Sequence, residues 1–256
     1  MNEKNSQFPL LYHAHHSRHL EDLPFWKALA WEAQAARQTG PLLELGCGTG
    51  RVLLPLAGTG LQVYGLDRDA GMLAVLKRNL QPQLRSRVHV WISSVAHFHL
   101  NKRFSCVILP CNTLSTFSKL TRQAMFENVH RHLAPQGLFA ASLPNPERLL
   151  RLPVASEAEV EESFSHPSDG EPVQVSSHWK REGQTFIVFW DYDHLFPDGR
   201  VERVSAQVAH QLNLVDVYIK ELNEAGFAHV QMYGDFDRSE YSRRSPSLIL
   251  VAESLP

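Results

Sequence analysis

Between residues 42 and 57 a short apolar run, LLEL, meets three alternate glycines, Gly46, Gly48 and Gly50, and then RVLLPLA, where apolar residues return at helical spacing. Few arrangements accommodate that order. Glycines without a Cβ let the chain turn sharply at the end of a strand, and the helix that follows leaves its first N–H groups free. A strand, a glycine turn and a helix begin a parallel sheet crossed by helices, and the chain repeats that alternation.

One helix precedes this unit. From Pro24 to Gln38 the residues Phe25, Leu29, Ala33 and Ala36 recur at three- and four-residue steps with no glycine among them. After the unit, LQVYGL ends at Asp67, and Met72, Leu73, Leu76 and Leu80 share one face of a second helix. VHVWI (88–92) and FSCVILP (104–110) read as two buried strands. A polar loop from Asn112 to Lys119 leads into helical spacing through Met125, Val129 and Leu133, which Pro135-Gln136-Gly137 stops. GLFAASL (137–143) makes a fifth strand. A sheet of this kind takes its ligand at the carboxyl edge.

The period changes after Pro144-Asn145-Pro146. An acidic, proline-containing stretch leads to residues 173–212, where apolar residues alternate and turns at Arg181–Gln184 and Phe196–Gly199 predict three antiparallel strands. LVDVYIKELNEAGF restores a helix capped by Gly226, and FAHVQMY and SLILVAE end the chain as two strands. The expected division is 1–143 with 208–256 for the main domain, and 144–207 for a β insertion after strand five.

Charge narrows the partners. The chain carries 25 Lys plus Arg against 27 Asp plus Glu, with no basic block, which argues against nucleic acid or an anionic membrane as a ligand. No run of eighteen apolar residues exists to span a bilayer. Three cysteines, Cys47, Cys106 and Cys111, cannot all pair within one chain, and a reducing, cytoplasmic setting is expected.

Spacing also selects the ligand. A dinucleotide fingerprint, G-x-G-x-x-G, needs glycine at position 51, where this chain has Arg51, and no Gly-Lys-Ser/Thr phosphate loop follows. Asp67 stands at the tip of the next strand, about 20 residues on, where a carboxylate accepts hydrogen bonds from both hydroxyls of a ribose. An adenosine-like ligand is the natural reading.

These residues, LLELGCGTGRVLLPLA followed by GLDRDAGML, resemble class I S-adenosylmethionine-dependent methyltransferases. The small-molecule branch, with sugar-amine and glycine-type N-methyltransferases, is similar also in YHAHH…EDLPFW and EAGF…YGDF. The resemblance implies a Rossmann-like α/β fold, doubly wound, with a seven-stranded sheet, mostly parallel with one antiparallel strand, and a β insertion covering the substrate pocket. It implies S-adenosylmethionine as cofactor. Gly46, Cys47, Gly48 and Gly50 would pass close to its methionine part, Glu44 would orient the loop, and Asp67 would hold the ribose. Arg68 and Met72 would border the adenine, and Tyr12 would fold over the cofactor. After strand three the family usually has an acid for the adenine amino group; here the chain reads Ser93-Ser94-Val95, with Ser94 as a neutral acceptor. Pro110 and Asn112 would lie where cofactor and substrate meet. Phe104-Ser105 stands where Phe-Asp is common, and Phe117 near where related N-methyltransferases often carry a histidine.

Methyl transfer from a sulfonium is an in-line displacement, so alignment supplies much of the rate. Oxygen acceptors also need a positioned base. On the insertion, Trp190-Asp191-Tyr192-Asp193-His194 alternates, so Asp191 and Asp193 share one face while Tyr192 and His194 share the other. Asp191 and His194 are the candidate catalytic residues, weighed against an ordinary solvated hairpin face. Trp179, Phe189 and Trp190 either wall an aromatic pocket or pack as sheet residues do. His13, His15, His16 and His19 are dense, but one segment of histidines with no paired ligand reads as a solvated terminus, and no metal is expected.

The function expected is transfer of a methyl group from S-adenosylmethionine to a nitrogen or oxygen of a small molecule. The alternative is a non-catalytic S-adenosylmethionine-binding regulator or scaffold. A homodimer is compatible with either.

Overall fold

The computed structural model describes residues 3–35 and 40–255. Two helices open the chain, α1 (Glu3–His16) and α2 (Leu23–Ala35). The later part of the second expected helix, including Ala36 and Gln38, lies outside the described residues. The histidine-rich terminus is a helix and not a solvated tail: Leu11 and His15 are buried.

The alternation then runs β1 (Leu42–Leu45), α3 (Leu53–Gly58), β2 (Val63–Asp67), α4 (Ala70–Asn79), β3 (Val88–Ile92), β4 (Phe104–Leu109), α5 (Lys119–His132) and β5 (Leu133–Pro144). Strand β5 starts at Leu133 and not at Gly137, because it pairs with β4 from Phe104 onward across an irregular step. A short helix, α6 (Pro146–Leu149), leads to β6 (Glu159–Ser165), β7 (Pro172–Glu182), β8 (Thr185–Leu195) and β9 (Val201–Gln211), and α7 (Val215–Glu224), β10 (Phe227–Tyr233) and β11 (Ser247–Ser254) complete the chain. The insertion therefore has four strands where three were expected. The fourth, β6, is an edge strand, and its charged Glu159, Glu161 and Glu162 hide the apolar alternation that marks the other strands.

The larger sheet has the order β10-β11-β5-β4-β1-β2-β3. β11 runs antiparallel to both neighbours, and the other pairs are parallel. Strands β1 and β4 are buried along their whole length, as central parallel strands covered on both faces must be. On one face Trp26, Leu29, Leu53, Leu56, Leu73 and Leu76 pack from α2, α3 and α4. On the other, Met125, Phe126, Val129, Tyr218 and Leu222 pack from α5 and α7. Those two helices are joined by a buried ion pair, Arg122 Nε and Nη2 donating to Glu221 at 2.7 and 2.8 Å.

The second sheet, β6-β7-β8-β9, is antiparallel throughout. Its inner face packs on α1: Phe8 and Leu11 meet Val173, Val175, Tyr192 and Val204. That contact explains why the terminus is helical, since α1 gains a buried face only from residues far away in sequence. No helix among the described residues is long and apolar enough to cross a membrane.

Candidate active site

Strand β1 delivers the glycine loop to the carboxyl edge of the sheet, with φ of +63° at Gly46, +51° at Gly48 and +87° at Gly50. The three glycines do different work. A Cβ on Gly46 would meet only Thr113 Cγ2 at 3.7 Å, and one on Gly48 nothing nearer than Gly46 O at 4.0 Å, so both face open space. A Cβ on Gly50 would strike Leu54 Cγ at 2.9 Å and Leu76 Cγ at 3.0 Å, so the third glycine seats the loop on the core. Beneath it, Gly65 of β2 leaves no room either, with Cys47 Sγ at 2.7 Å and Leu53 Cδ2 at 2.8 Å from an added Cβ. Gly65→Ala is expected to cost about 1–3 kcal/mol by overpacking, read as a lowered midpoint in urea unfolding.

Asp67 ends β2 and faces the loop. Its Oδ2 accepts from Gly48 N at 2.8 Å and its Oδ1 from Asp69 N at 2.9 Å. A carboxylate has about four lone-pair sites, so two remain for a diol. Asp69 caps α4, accepting from Gly71 N and Met72 N. Arg68 is exposed and Met72 half-buried at the same edge. Ile92, in register with Asp67, is 61% exposed, a bare apolar side chain beside the carboxylate that the sequence did not single out. Ser94 is exposed, its Oγ accepting from Ala96 N at 3.3 Å, and the half-buried Val95 packs against the core.

Glu44 lies under the loop at 2% exposure, and its Oε2 has no hydrogen-bond partner among the described residues. Burial pushes its carboxyl well above the usual range; Arg51 opposes, while Asp22 and Asp67 add to the rise. Arg51, which occupies the position of the third dinucleotide glycine, grips Asp22 through Nη1 and Nη2 at 2.6 Å each. It also donates to His19 O at 2.7 Å and Cys111 Sγ at 3.0 Å. Asp22 accepts from Trp26 Nε1 as well. One guanidinium thus ties α2, the loop and the end of β4.

Helix α1 crosses above. Asn79 Nδ2 donates to His13 Nε2 at 2.9 Å, so His13 Nδ1–H donates to Thr49 Oγ1 at 3.1 Å and fastens α1 to the loop. Tyr12 is one residue away. Burial raises its phenol first, with Cys111, Tyr192 and Asp67 adding and Arg51 opposing, which sets the ring among the loop, β2 and the second sheet.

After β4, Pro110 is buried while Cys111 and Asn112 are exposed, with φ of +60° and +59°. Consecutive left-handed residues other than glycine cost about 1–3 kcal/mol each and persist only where the surroundings hold them. Ser115 Oγ donates to Asn112 O at 2.9 Å, and His210 Nδ1 meets the same hydroxyl at 2.8 Å. The Ser115 hydrogen is already given to Asn112, so His210 Nδ1–H is the donor. Burial holds the His210 imidazole down to about 4. Neither residue carries a local sequence pattern, for they stand 95 residues apart.

The structure does not bring Asp191 or His194 to this edge. Asp191 pairs with Arg203 at 3.1 Å and accepts from Ser205, and Asp193 pairs with the same arginine at 2.6 Å, so these two acids share a face as expected. His194 stacks on His166 at 4.0 Å, with Nε2 3.3 Å from Asp169. Along β8 it stands eight residues from Phe186, the partner of His210, or about 26 Å at strand rise. Trp190 packs with the core beneath α1, Trp179 lies against Phe186, and Phe189 stacks on His178.

A reversed strand within a sheet of this order, with a glycine loop after β1 and an acid after β2, is the class I S-adenosylmethionine-dependent methyltransferase fold. Residues 42–137 match the family described as methyltransferase domain. A putative methyltransferase of Geobacillus sp. (strain WCH70) is 24% identical over 83% of this chain and 83% of its own. Among solved structures, the CcbJ methyltransferase from Streptomyces caelestis is similar with a TM-score of 0.73 and 23% identity, covering 95% of this chain and 96% of that one. CalS10 from Micromonospora echinaspora, an amino pentose methyltransferase solved with S-adenosylmethionine bound, gives 0.71 and 19%, covering 95% and 96%.

Proposed function

We propose that this protein is an enzyme that transfers the methyl group of S-adenosylmethionine to a nitrogen or oxygen of a small molecule. The observation that carries the reading is the bare cradle above Gly46 and Gly48 with an orphaned, buried carboxylate oxygen of Glu44 beneath it and Asp67 beside it. A zwitterionic amino acid joined to a nucleoside fits that set. The ammonium satisfies Glu44, the ribose hydroxyls take the free lone pairs of Asp67, and the backbone of Gly46, Cys47, Gly48 and Gly50 lines the chain between. Ile92, Met72 and Val95 offer the adenine an apolar wall, with Arg68 and Ser94 at its rim.

The cofactor, when bound, supplies a methyl group on an electrophilic sulfonium. What the protein's own residues supply is alignment and exclusion of water. Tyr12 on α1 roofs the loop, and Pro110 and Asn112 bound the donor end. His210 acts as a positioning residue: through Ser115 it holds Asn112 in its left-handed turn, and it stays neutral above pH about 4. The half-buried inner face of the second sheet, with Trp179, Val188, Trp190 and Val208, is the wall we assign to the acceptor.

Amino-sugar methylation by CalS10 favours amines as the first acceptors to try. Incubation with methyl-labelled S-adenosylmethionine and a panel of small amines and alcohols, read by mass spectrometry, is expected to yield a product heavier by one labelled methylene and one equivalent of S-adenosylhomocysteine. Tight cofactor binding with no transfer to any acceptor would count against the enzyme. Three free thiols support a cytoplasmic setting, and a homodimer is carried in this reading as a point for sedimentation velocity.

A further inference from the structure

Beyond the methyl-transfer site, two groups of histidines and acids converge among the described residues. At the turn joining β6 and β7, His166, Asp169 and His194 lie close together, but the two imidazoles are stacked at 4.0 Å with 13° between their planes. Lone pairs in parallel stacked rings do not meet at one ion, and Asp169 Oδ1 is already hydrogen-bonded to His166 Nδ1 at 3.2 Å.

The second group differs. His15, at the end of α1, and His19, in the turn after it, approach Glu162 of β6. His15 Nε2 stands 3.5 Å from Glu161 Oε2 and 3.5 Å from Glu162 Oε1, and His19 Nε2 stands 3.8 Å from the same Glu162 oxygen. Glu162 Oε1 is a buried oxygen with no hydrogen-bond partner among the described residues. These separations are long for hydrogen bonds. The edge of a tetrahedron around an ion with bonds of about 2.0–2.2 Å is about 3.3–3.6 Å; the two His15 separations match it, and the 3.8 Å from the exposed His19 needs only a small side-chain shift to do so.

The surrounding contacts orient each donor. Tyr192 OH lies 3.1 Å from His15 Nδ1, so when that nitrogen carries the hydrogen, Nε2 presents its lone pair to the carboxylates. Ser177 donates to Glu161 Oε1 and leaves Oε2 for His15. Arg18 approaches Glu162 Oε2 at 3.8 Å and leaves Oε1 free. The His15 and His19 rings are set at 74°, so their nitrogens converge where stacked rings would not. Outer partners that fix a histidine's tautomer and one carboxylate oxygen are what metal sites require. His15 is buried while the His19 side chain is 53% exposed, which gives an ion a way in.

We propose that His15, His19 and Glu162, with Glu161 beside His15, form a binding site for a divalent transition-metal ion of the zinc type, which pins α1 to the second sheet. Glu162 and the nearby Glu161 balance the double charge, and a donor set of two imidazoles and a carboxylate suits zinc or cobalt over calcium or magnesium. The helix so pinned is the one that carries Tyr12 and His13 over the glycine loop. Terminal histidines become a site only because the fold brings a β6 acid from more than 140 positions away.

The test uses the full chain without a histidine tag, titrated with Zn2+ by calorimetry and with Co2+ by visible absorption. Expected are one equivalent of tightly held Zn2+, a rise in thermal midpoint on adding it, and Co2+ bands of a four-coordinate ion. Glu162→Gln and, independently, the exposed His19→Ala should each weaken binding at least tenfold, since loss of even an outer partner costs about 10–100-fold. S-adenosylhomocysteine binding by each variant reports that the fold and the methyl-transfer reading stand apart from the result. No Zn2+ binding would overturn the proposal. So would binding that Glu162→Gln leaves unchanged, because the histidine segment would then hold the ion without the fold.

Discussion

Asp67→Ala is expected to reduce binding of S-adenosylmethionine and S-adenosylhomocysteine by on the order of a hundredfold or more. Two hydrogen bonds from ribose hydroxyls to a charged acceptor contribute about 1.5–3 kcal/mol each, and about 1.4 kcal/mol is a factor of ten. The same carboxylate accepts from Gly48 N at 2.8 Å and Asp69 N at 2.9 Å, so its loss also unfastens the loop from β2. Asp67→Asn separates the two effects: it keeps one oxygen of the same shape but loses the charge, and an intermediate affinity is expected. Calorimetry on both variants, with urea unfolding of each, is the measurement. Unchanged affinity in Asp67→Ala would move the cofactor away from the tip of β2 altogether.

The parts of this site that the sequence discloses are those whose logic is local. A glycine loop is legible because open space and positive φ must be met by the residue at that position, as at Gly46 and Gly48. Asp67 is legible because the βαβ unit fixes its distance from the loop. Contacts between distant segments leave no such mark. Arg51 reads in the sequence as a missing glycine, and only the fold shows it gripping Asp22 and Cys111. His210 reads as one more residue on a strand until Ser115 is set against it. Helix α1 contains Pro9 and lacks a clean apolar stripe, because it packs on the second sheet while His13 reaches across to Thr49 and Asn79. Strand β6 carries glutamates where a buried strand would carry valines, and two of those glutamates face His15 of α1. Asp191 and His194 show the converse: strand alternation gave their faces correctly, while their distance along β8 depends on how the second sheet docks.

Glu44→Gln is expected to move apo stability and cofactor affinity in opposite directions. Burial raises the Glu44 carboxyl well above its ordinary value, so the folded protein favours the protonated form more than the unfolded chain does. The sign follows from linkage. Glu44 contributes fully below the unfolded pKa of about 4.3, and its contribution is lost as pH rises from there toward the raised folded value. The amide carries no such charge, so the variant should hold its urea midpoint across the pH range in which the wild-type midpoint falls, and exceed it at neutral pH. Binding asks for the opposite state, because a carboxylate pairs with the cofactor's ammonium and an amide oxygen does so without the charge. Wild-type affinity should therefore rise with pH, by up to about tenfold per unit while one proton is released on binding, and the variant should be weaker and nearly flat. Two measurements on one pair of proteins, midpoint against pH and calorimetric affinity against pH, check both signs. A Gln variant that is less stable at neutral pH and binds as tightly would show that Oε2 already serves the loop and leaves the ammonium to another acceptor.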